Sequence, residues 1–154
     1  MTYQIPTQVT EVKLVYYNKV NAKDRPQLKS SFDAYEVLAA NWDEGTISLY
    51  EEFYILLLDR GNRVMGRYLV SQGGLTGTVV DPKMIFAAAL KGRAASIILA
   101  HNHPSGNLKP SKADKNLTRN LIQAGKFLEI PVLDHLILAP DGGYYSFADE
   151  GEMY

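Results

Sequence analysis

The amino-acid sequence predicts a three-layer α/β/α protein with a mixed central sheet. Apolar segments of strand length alternate along the chain with amphipathic segments of helical spacing, which is typical of strands packed between helices. Short turn sequences at residues 59–63 and 141–143 also join neighbouring strand segments as hairpins. Because crossovers through helices give parallel strand pairs and hairpins give antiparallel pairs, the sheet should contain both kinds.

Composition sets the broad class of protein. The chain has 154 residues, no cysteine and a formal net charge of -1. We predict a single domain over residues 1–154, with residues 1–30 as an N-terminal extension that contains one strand at residues 12–17. The lack of cysteine excludes disulfides, thiol catalysis and Cys-ligated zinc. The balanced charge gives nucleic-acid binding no support, although it does not exclude it. Since the sequence has neither a signal peptide nor an apolar run of membrane length, we expect a cytoplasmic protein with no membrane association.

The first half of the chain predicts one helix and one hairpin. Ser31 is expected to cap the helix, whose apolar positions recur at helical spacing up to Trp42, a core residue. Residues 47–58 predict a strand, and residues 53–58 are apolar on both faces, as in a central strand covered by helices. Residues 64–70 predict its hairpin partner.

The rest of the chain predicts a loop, two helices and three strands. They are, in order, a glycine loop at Gly73, Gly74 and Gly77; a helix begun by Asp81 and Pro82 and ended by Gly92; a buried strand from Ser96 that leads into His101; a helix from Ser111 with an apolar face of Leu117, Leu121, Ala124 and Leu128; and strands at residues 131–138 and 144–147. The glycine loop lacks the spacing of a phosphate-binding motif.

The junction between the strand and the helix from Ser111 predicts a metal site. His101 and His103 stand two residues apart, so both side chains point to one face of the strand while Asn102 points to the other. Asp114 begins the helix, and the turn between is rich enough in proline and glycine to fold the helix start back onto the strand end. Two imidazoles and one carboxylate leave a fourth position open for water, as at a catalytic zinc. Ser111 and Asp114 also have helix-capping spacing, which needs no metal but leaves the two histidines unexplained.

Hydrolysis at such a site needs a general base that then acts as an acid. Glu51 and Glu52 precede the predicted central strand, and strand alternation sends them to opposite faces, so only one can point at the metal. Periodicity does not choose between them, and Glu36 and Glu44 are weaker candidates. Ser111 is expected to donate a hydrogen bond to the developing oxyanion.

The motif of His101, His103, Ser111 and Asp114, with its spacing HxH-x7-S-x2-D, resembles the signature of JAMM (MPN+) metalloproteases, a superfamily that includes deubiquitinating isopeptidases. The segment HNHPSGNLKPSKAD more closely resembles the bacterial RadC-like JAB domain. The likeness extends from EEFYILLLD through TGTVVDPKMIFAAAL to VLDHLIL and YYSFADEG. The resemblance implies the cytidine-deaminase-like α/β/α fold of that superfamily.

The resemblance also implies roles for individual residues. It implies zinc as the cofactor, with His101, His103 and Asp114 as its ligands and Ser111 as the oxyanion donor. In that family the acid/base glutamate stands two positions before a strand phenylalanine, which gives the role to Glu51, with Glu52 as the second choice. Family members often carry an N-terminal helix-hairpin-helix domain. The first 40 residues here do not resemble one, and the chain is too short to add it, so no DNA role is carried over.

We therefore expect a zinc-dependent metallopeptidase or isopeptidase whose substrate is a peptide or isopeptide. Two alternatives stay open: a non-catalytic binding module of DNA-repair or mobile-element complexes, and a metal-dependent nuclease. His135, which follows Asp134, is expected to pair with that residue or to contact a metal ligand rather than to be a fourth ligand. The sequence does not specify the substrate or the oligomeric state.

Overall fold

The computed structural model describes residues 1–13, 15–73 and 79–154. Within them it has a five-stranded mixed sheet with helices on both faces. The strands are β1 (Glu52–Leu58), β2 (Val64–Gln72), β3 (Ser96–Asn102), β4 (Val132–Leu138) and β5 (Tyr144–Ser146), and the helices are α1 (Ser31–Asn41), α2 (Pro82–Lys91) and α3 (Lys112–Phe127), with a short 3-10 helix at Ala22–Asp24. None of the described helices has the length and apolar character needed to cross a bilayer.

The strand order β2-β1-β3-β4-β5 places β3 at the centre of the sheet. Strand β1 is antiparallel to both β2 and β3, β4 is parallel to β3, and β5 is antiparallel to β4. The predicted mixed sheet is confirmed, with a hairpin at each edge and a parallel pair between β3 and β4 that α3 connects.

Both faces of the sheet are covered, which confirms the three-layer class. Every residue of β1 and β3 is buried. On one face Phe53, Ile55 and Leu57 pack with the buried side chains of α2 and α3. On the other face Tyr54, Leu56 and Leu58 pack with α1, where Trp42 is 6% exposed and belongs to the core as predicted. Apolar residues at consecutive positions are therefore required on the central strands, because each face has its own core.

The predicted N-terminal strand at residues 12–17 is not found in the part of that stretch that the structure describes, residues 12–13 and 15–17. The described residues of this stretch are irregular, and Val12 and Tyr17 are 85% and 81% exposed. The Tyr16 hydroxyl donates to the carbonyl of Met65 on β2 at 2.9 Å. No neighbouring strand, however, supplies backbone hydrogen bonds to the described part of the segment. Aromatic and β-branched residues favour a strand only where such a partner exists. Leu14 and, in the predicted glycine loop, Gly74 and Gly77 lie outside the described residues. A single domain over residues 1–154 stays a prediction.

The cap of α1 is Ser30 and not Ser31 as predicted. The Ser30 hydroxyl accepts from the backbone N–H of Asp33, and the Asp33 carboxylate accepts from the N–H of Ser30. Asp33 stands three residues after Ser30, which completes a reciprocal capping box. A box begun by Ser31 would instead place Ala34 at that position, and alanine has no acceptor.

Other boundaries also differ from prediction. Strand β1 begins at Glu52, because residues 44–50 form a turn that brings the chain from α1 to the sheet. Helix α3 ends at Phe127, so Leu128 is its C-terminal cap and is exposed, whereas Leu121 and Ile122 carry the buried face. Helices α2 and α3 begin where predicted, with Asp81 and Ser111 as their caps.

Candidate metal centre

The end of β3 sends its last side chains to two different faces of the sheet. His101 pairs with Phe53 of β1 and shares its face, and its ring stacks on the Phe53 ring with centroids 5.8 Å apart. His103 follows the strand, where its N–H donates to the carbonyl of Leu138 at 2.9 Å and continues the strand pairing. The two histidines therefore face the α3 layer, while Asn102 faces the α1 layer.

The ligand atoms of three side chains converge at this point. His101 Nε2 and His103 Nε2 are 3.0 Å apart. Asp114 Oδ1 lies 3.4 Å from His101 Nε2, and Asp114 Oδ2 lies 3.4 Å from His103 Nε2. Two ligand atoms that each lie 2.0–2.1 Å from a tetrahedral zinc ion stand roughly 3.3 Å apart. One ligand atom from each of the three residues lies within 4.8 Å of the others, so the set could hold a single metal ion.

The start of α3 holds the carboxylate in place by helix capping. The Ser111 hydroxyl accepts from the Asp114 N–H at 3.0 Å, and Asp114 Oδ2 accepts from the Ser111 N–H at 2.8 Å. Because Asp114 Oδ1 still faces His101, one geometry allows Asp114 both to cap the helix and to serve as a candidate metal ligand. The capping bond uses Ser111 as an acceptor, and no donation from its hydroxyl is found among the described residues, so its proton is not used by the capping box.

A hydrogen bond on the far side of the His103 ring determines which ring nitrogen faces His101 and Asp114. His103 Nδ1 lies 2.5 Å from the carbonyl oxygen of Asn107, in the turn before α3. A carbonyl oxygen only accepts, so Nδ1 carries a proton and the Nε2 of the neutral ring has a free lone pair. The Asn107 carbonyl thus supports a candidate metal ligand, an arrangement common at metal sites.

The ionisation of Asp114 and the protonation of His103 depend on one another. Burial disfavours the ionised form of Asp114, but the imidazoles of His101 and His103 outweigh it and hold the pKa of Asp114 far below its usual value. Burial likewise works against a charged His103, but the bonds to Asp114 and to the Asn107 carbonyl raise the pKa of His103. The site thus attracts a positive charge, which a proton supplies in the absence of a metal ion.

The Asn102 side chain joins the end of β3 to the start of β1 by hydrogen bonds. Its side chain is fully buried; Oδ1 accepts from the N–H of Glu52 at 2.7 Å, and Nδ2 donates to the carbonyls of Ile47 and Tyr50 at 2.8 and 3.0 Å. These three bonds hold the turn before β1 and thereby the backbone of Glu51. The Glu51 Oε1 atom lies 3.9 Å from His103 Nε2.

The two candidate glutamates lie on opposite sides, as alternation requires. Glu51 faces the histidines, whereas Glu52 is 4% exposed and accepts a hydrogen bond from the Thr46 hydroxyl at 2.5 Å. The structure thus brings Glu51, but not Glu52, to the group of ligand atoms. Glu36 is exposed on α1 and Glu44 lies in the turn that follows it, at the layer on the other face of the sheet.

We expect Asn102→Asp to destabilise the protein and to displace Glu51. Its carboxylate would still accept from Glu52 but would oppose the carbonyls of Ile47 and Tyr50, so two buried acceptors lose their donor. We expect a loss of about 2–4 kcal/mol in the free energy of unfolding, measured by urea denaturation.

As a matched comparison, Asn107→Asp alters an amide of the same chemistry whose side chain accepts from the exposed Lys109 N–H at 3.0 Å. Its unfolding free energy should change by less than about 1 kcal/mol, because an aspartate oxygen can accept the same bond. Equal losses for the two variants would contradict the role given to Asn102.

The His135 ring contacts the candidate ligand His101, whereas His135 pairs with the Asp134 carboxylate only through its backbone N–H. Its Nε2 lies 2.7 Å from His101 Nδ1, and its Nδ1 lies 2.6 Å from the Thr118 hydroxyl. Asp134 accepts instead from the Ser146 hydroxyl and from the N–H groups of Ala148 and His135, and burial raises the pKa of its carboxyl. Complete burial, with the nearby His101 second, holds the pKa of His135 well below its usual value.

Sequence reasoning missed Asn107 and Thr118. The position of Thr118, one helical turn after Asp114 on α3, was the available signal, since residues four apart share a helix face. Asn107 offers only a backbone carbonyl, so its side chain carries no signal for this contact.

Fold and site together define a class: an α/β protein that presents a candidate metal-binding His/His/Asp group at the end of a central strand. Residues 28–152 match the RadC-like JAB domain family. The chain belongs to this family.

Curated relatives from several organisms are similar over about two-thirds of the chain. A UPF0758 protein of Flavobacterium johnsoniae is 46% identical over 102 residues, which are 66% of this chain and 44% of that protein. One of Thermosynechococcus vestitus is 48% identical over 99 residues, 64% of this chain and 39% of that protein. One of Methanosarcina mazei is 44% identical over 101 residues, 66% of this chain and 44% of that protein. The chain thus spans less than half the length of these relatives.

Proposed function

We propose that the protein is a zinc-dependent hydrolase of peptide or isopeptide bonds. The observation that carries the proposal is the carboxylate of Glu51 beside three convergent ligand atoms, 3.9 Å from His103 Nε2. Two imidazoles and one carboxylate at tetrahedral spacing suit zinc, and three protein ligands leave room for water or substrate. A closed structural site would need a fourth protein ligand and no neighbouring base.

Each residue has a part in the proposed reaction. Zn²⁺ held by His101, His103 and Asp114 would polarise the scissile carbonyl and make a water molecule more acidic. Glu51 accepts a proton from the attacking water as its oxygen bonds to the carbonyl carbon, and delivers that proton to the leaving nitrogen as the C–N bond breaks. The free hydroxyl of Ser111 donates a hydrogen bond to the developing oxyanion and keeps its proton. The products are a carboxylic acid and an amine, so no other reactant is required.

Metal analysis and hydrolysis assays test this function. Protein purified without chelator should contain zinc, and chelator-treated protein should take it up again, as measured by elemental analysis and by competition with a chromogenic chelator. We expect the zinc-loaded protein to cleave members of a fluorogenic library of linear and lysine-branched peptides, and chelation to stop the cleavage. A chain that does not take up zinc would contradict the proposal.

Two further outcomes would favour the alternatives. Zinc uptake without cleavage of any library member would favour a non-catalytic binding module, in which the metal has a structural role. Cleavage of DNA in the same preparation, lost in His103→Ala, would favour a metal-dependent nuclease. A parallel assay with single-stranded and double-stranded DNA separates these outcomes from peptide hydrolysis.

A further inference from the structure

We infer that His135 is a positioning residue that, together with Thr118, fixes the tautomer of His101 and so presents its unprotonated Nε2 to the metal. The inference rests on the proposed function, because it assigns a metal to the group that contains His101. It concerns residues of β4 and α3 that lie behind the ligands and do not face the open side of the site.

The surroundings of His135 hold its ring in one orientation. The residue is fully buried on β4. The ring stacks on Phe147 with centroids 4.7 Å apart and planes inclined by 9°, and it meets Phe53 edge-on with centroids 5.5 Å apart. Because both ring nitrogens are hydrogen-bonded and both aromatic neighbours are in the core, the ring has no room to turn over.

The hydrogen bonds around His135 run in one direction. The carbonyl oxygen of Asp114 can only accept, and the Thr118 hydroxyl donates its single proton to it at 2.7 Å. Thr118 therefore accepts from His135, whose Nδ1 must carry the proton. The Nε2 of the neutral His135 ring is then an acceptor, so the proton between the two rings belongs to His101 Nδ1. This leaves His101 Nε2 with a lone pair.

This series of hydrogen bonds begins at one proposed metal ligand, Asp114, and ends at another, His101. It starts at the backbone carbonyl of Asp114 on α3, passes through Thr118 and through His135 on β4, and ends at His101 on β3. His103 has the same tautomer, with the proton on Nδ1, because its Nδ1 donates directly to the carbonyl of Asn107. Both imidazoles thus present Nε2 to the same point, which is what a shared metal ion requires.

Nuclear magnetic resonance of the metal-free full chain tests the tautomers directly. Long-range ¹H–¹⁵N correlation of histidine-labelled protein at a pH where the rings are neutral should place the proton on Nδ1 of His101 and of His135. A proton on Nε2 of either ring would overturn the inference. The readout requires neither metal nor activity, so it tests the tautomers even if the chain fails to bind zinc. Such a failure would count against the proposed function and leave the hydrogen-bond assignment of His101 and His135 to be judged by the spectra.

Zinc affinity of variants gives a second test. Thr118→Val keeps the shape of the side chain but removes the acceptor for His135 Nδ1, and we expect zinc to bind about 10- to 100-fold more weakly. Thr118→Ser restores a hydroxyl and should bind within about threefold of the wild type. Phe147→Leu is the packing control, since it loosens the contact with the His135 ring but leaves all its hydrogen bonds. Its melting temperature should fall while its zinc affinity stays.

Two results of the affinity series would overturn the inference. One is unchanged zinc affinity in Thr118→Val with the wild-type tautomers retained. The other is an equal loss of affinity in Thr118→Val and Phe147→Leu, which would assign the effect to packing. Thr118→Val is chosen over a change of His135 because the fully buried imidazole is part of the core.

Discussion

Asp114→Asn is expected to weaken zinc binding by about a hundredfold or more while leaving α3 intact. The asparagine retains an oxygen that can accept from the Ser111 N–H, so the capping box survives. It lacks the negative charge, and its amide group would place N–H donors or a neutral oxygen where the lone pairs of His101 and His103 converge. We expect helix content by circular dichroism to match the wild type, and competition with a chromogenic chelator to report the lost affinity.

The chain contains a matched control for this substitution. Asp33 closes a capping box of the same Ser-x-x-Asp form at the start of α1, where its carboxylate accepts from the N–H groups of Lys29 and Ser30. Asp33→Asn should lose up to about 1 kcal/mol of stability and leave zinc affinity unchanged. If the two variants had the same zinc affinity, Asp114 would be a helix cap only.

Glu51→Gln is expected to reduce peptide hydrolysis by about 10²- to 10⁴-fold with zinc still bound. Glutamine occupies nearly the same volume and can still face His103, but it cannot accept and return a proton. The comparison is made on zinc-loaded protein with a peptide that the wild type cleaves, and kcat is the quantity that should fall.

Glu52→Gln is the neighbouring control. Its side chain lies at Thr46 on the other face, so hydrolysis should change by less than about threefold once the protein is folded. Hydrolysis that survives in Glu51→Gln and is lost in Glu52→Gln would contradict the assignment. A cellular function that is unchanged in Glu51→Gln with zinc bound would favour the non-catalytic binding module.

The parts of the fold that the sequence predicts well are those where one physical requirement dominates. Strands β1 and β3 carry apolar side chains through residues 53–58 and 97–100 because two layers of helices cover them, and Asp81 with Pro82 begins α2 because both suit a helix start. The prediction for the N-terminal segment fails for the opposite reason: the strand propensity around Tyr16 meets no strand partner among the described residues.

The candidate site likewise has features that the sequence predicts and features that it does not. Strand alternation predicts that His101 and His103 share a face and that Glu51 and Glu52 do not, but it leaves open which glutamate faces the histidines. That choice depends on how the turn at residues 44–50 is tied to Asn102. The contact of His135 with His101 depends on the register between β3 and β4, which local sequence does not specify.

The paired capping boxes have a consequence for comparing relatives. Ser30 and Asp33 make the same reciprocal bonds as Ser111 and Asp114, and they do so far from any histidine ligand. Selection for helix stability alone would therefore keep a serine and an aspartate at the start of α3 after a lineage had lost its metal. His101 and His103 have no part in helix capping, so under the proposed function they are the more informative residues when one asks which relatives bind a metal ion.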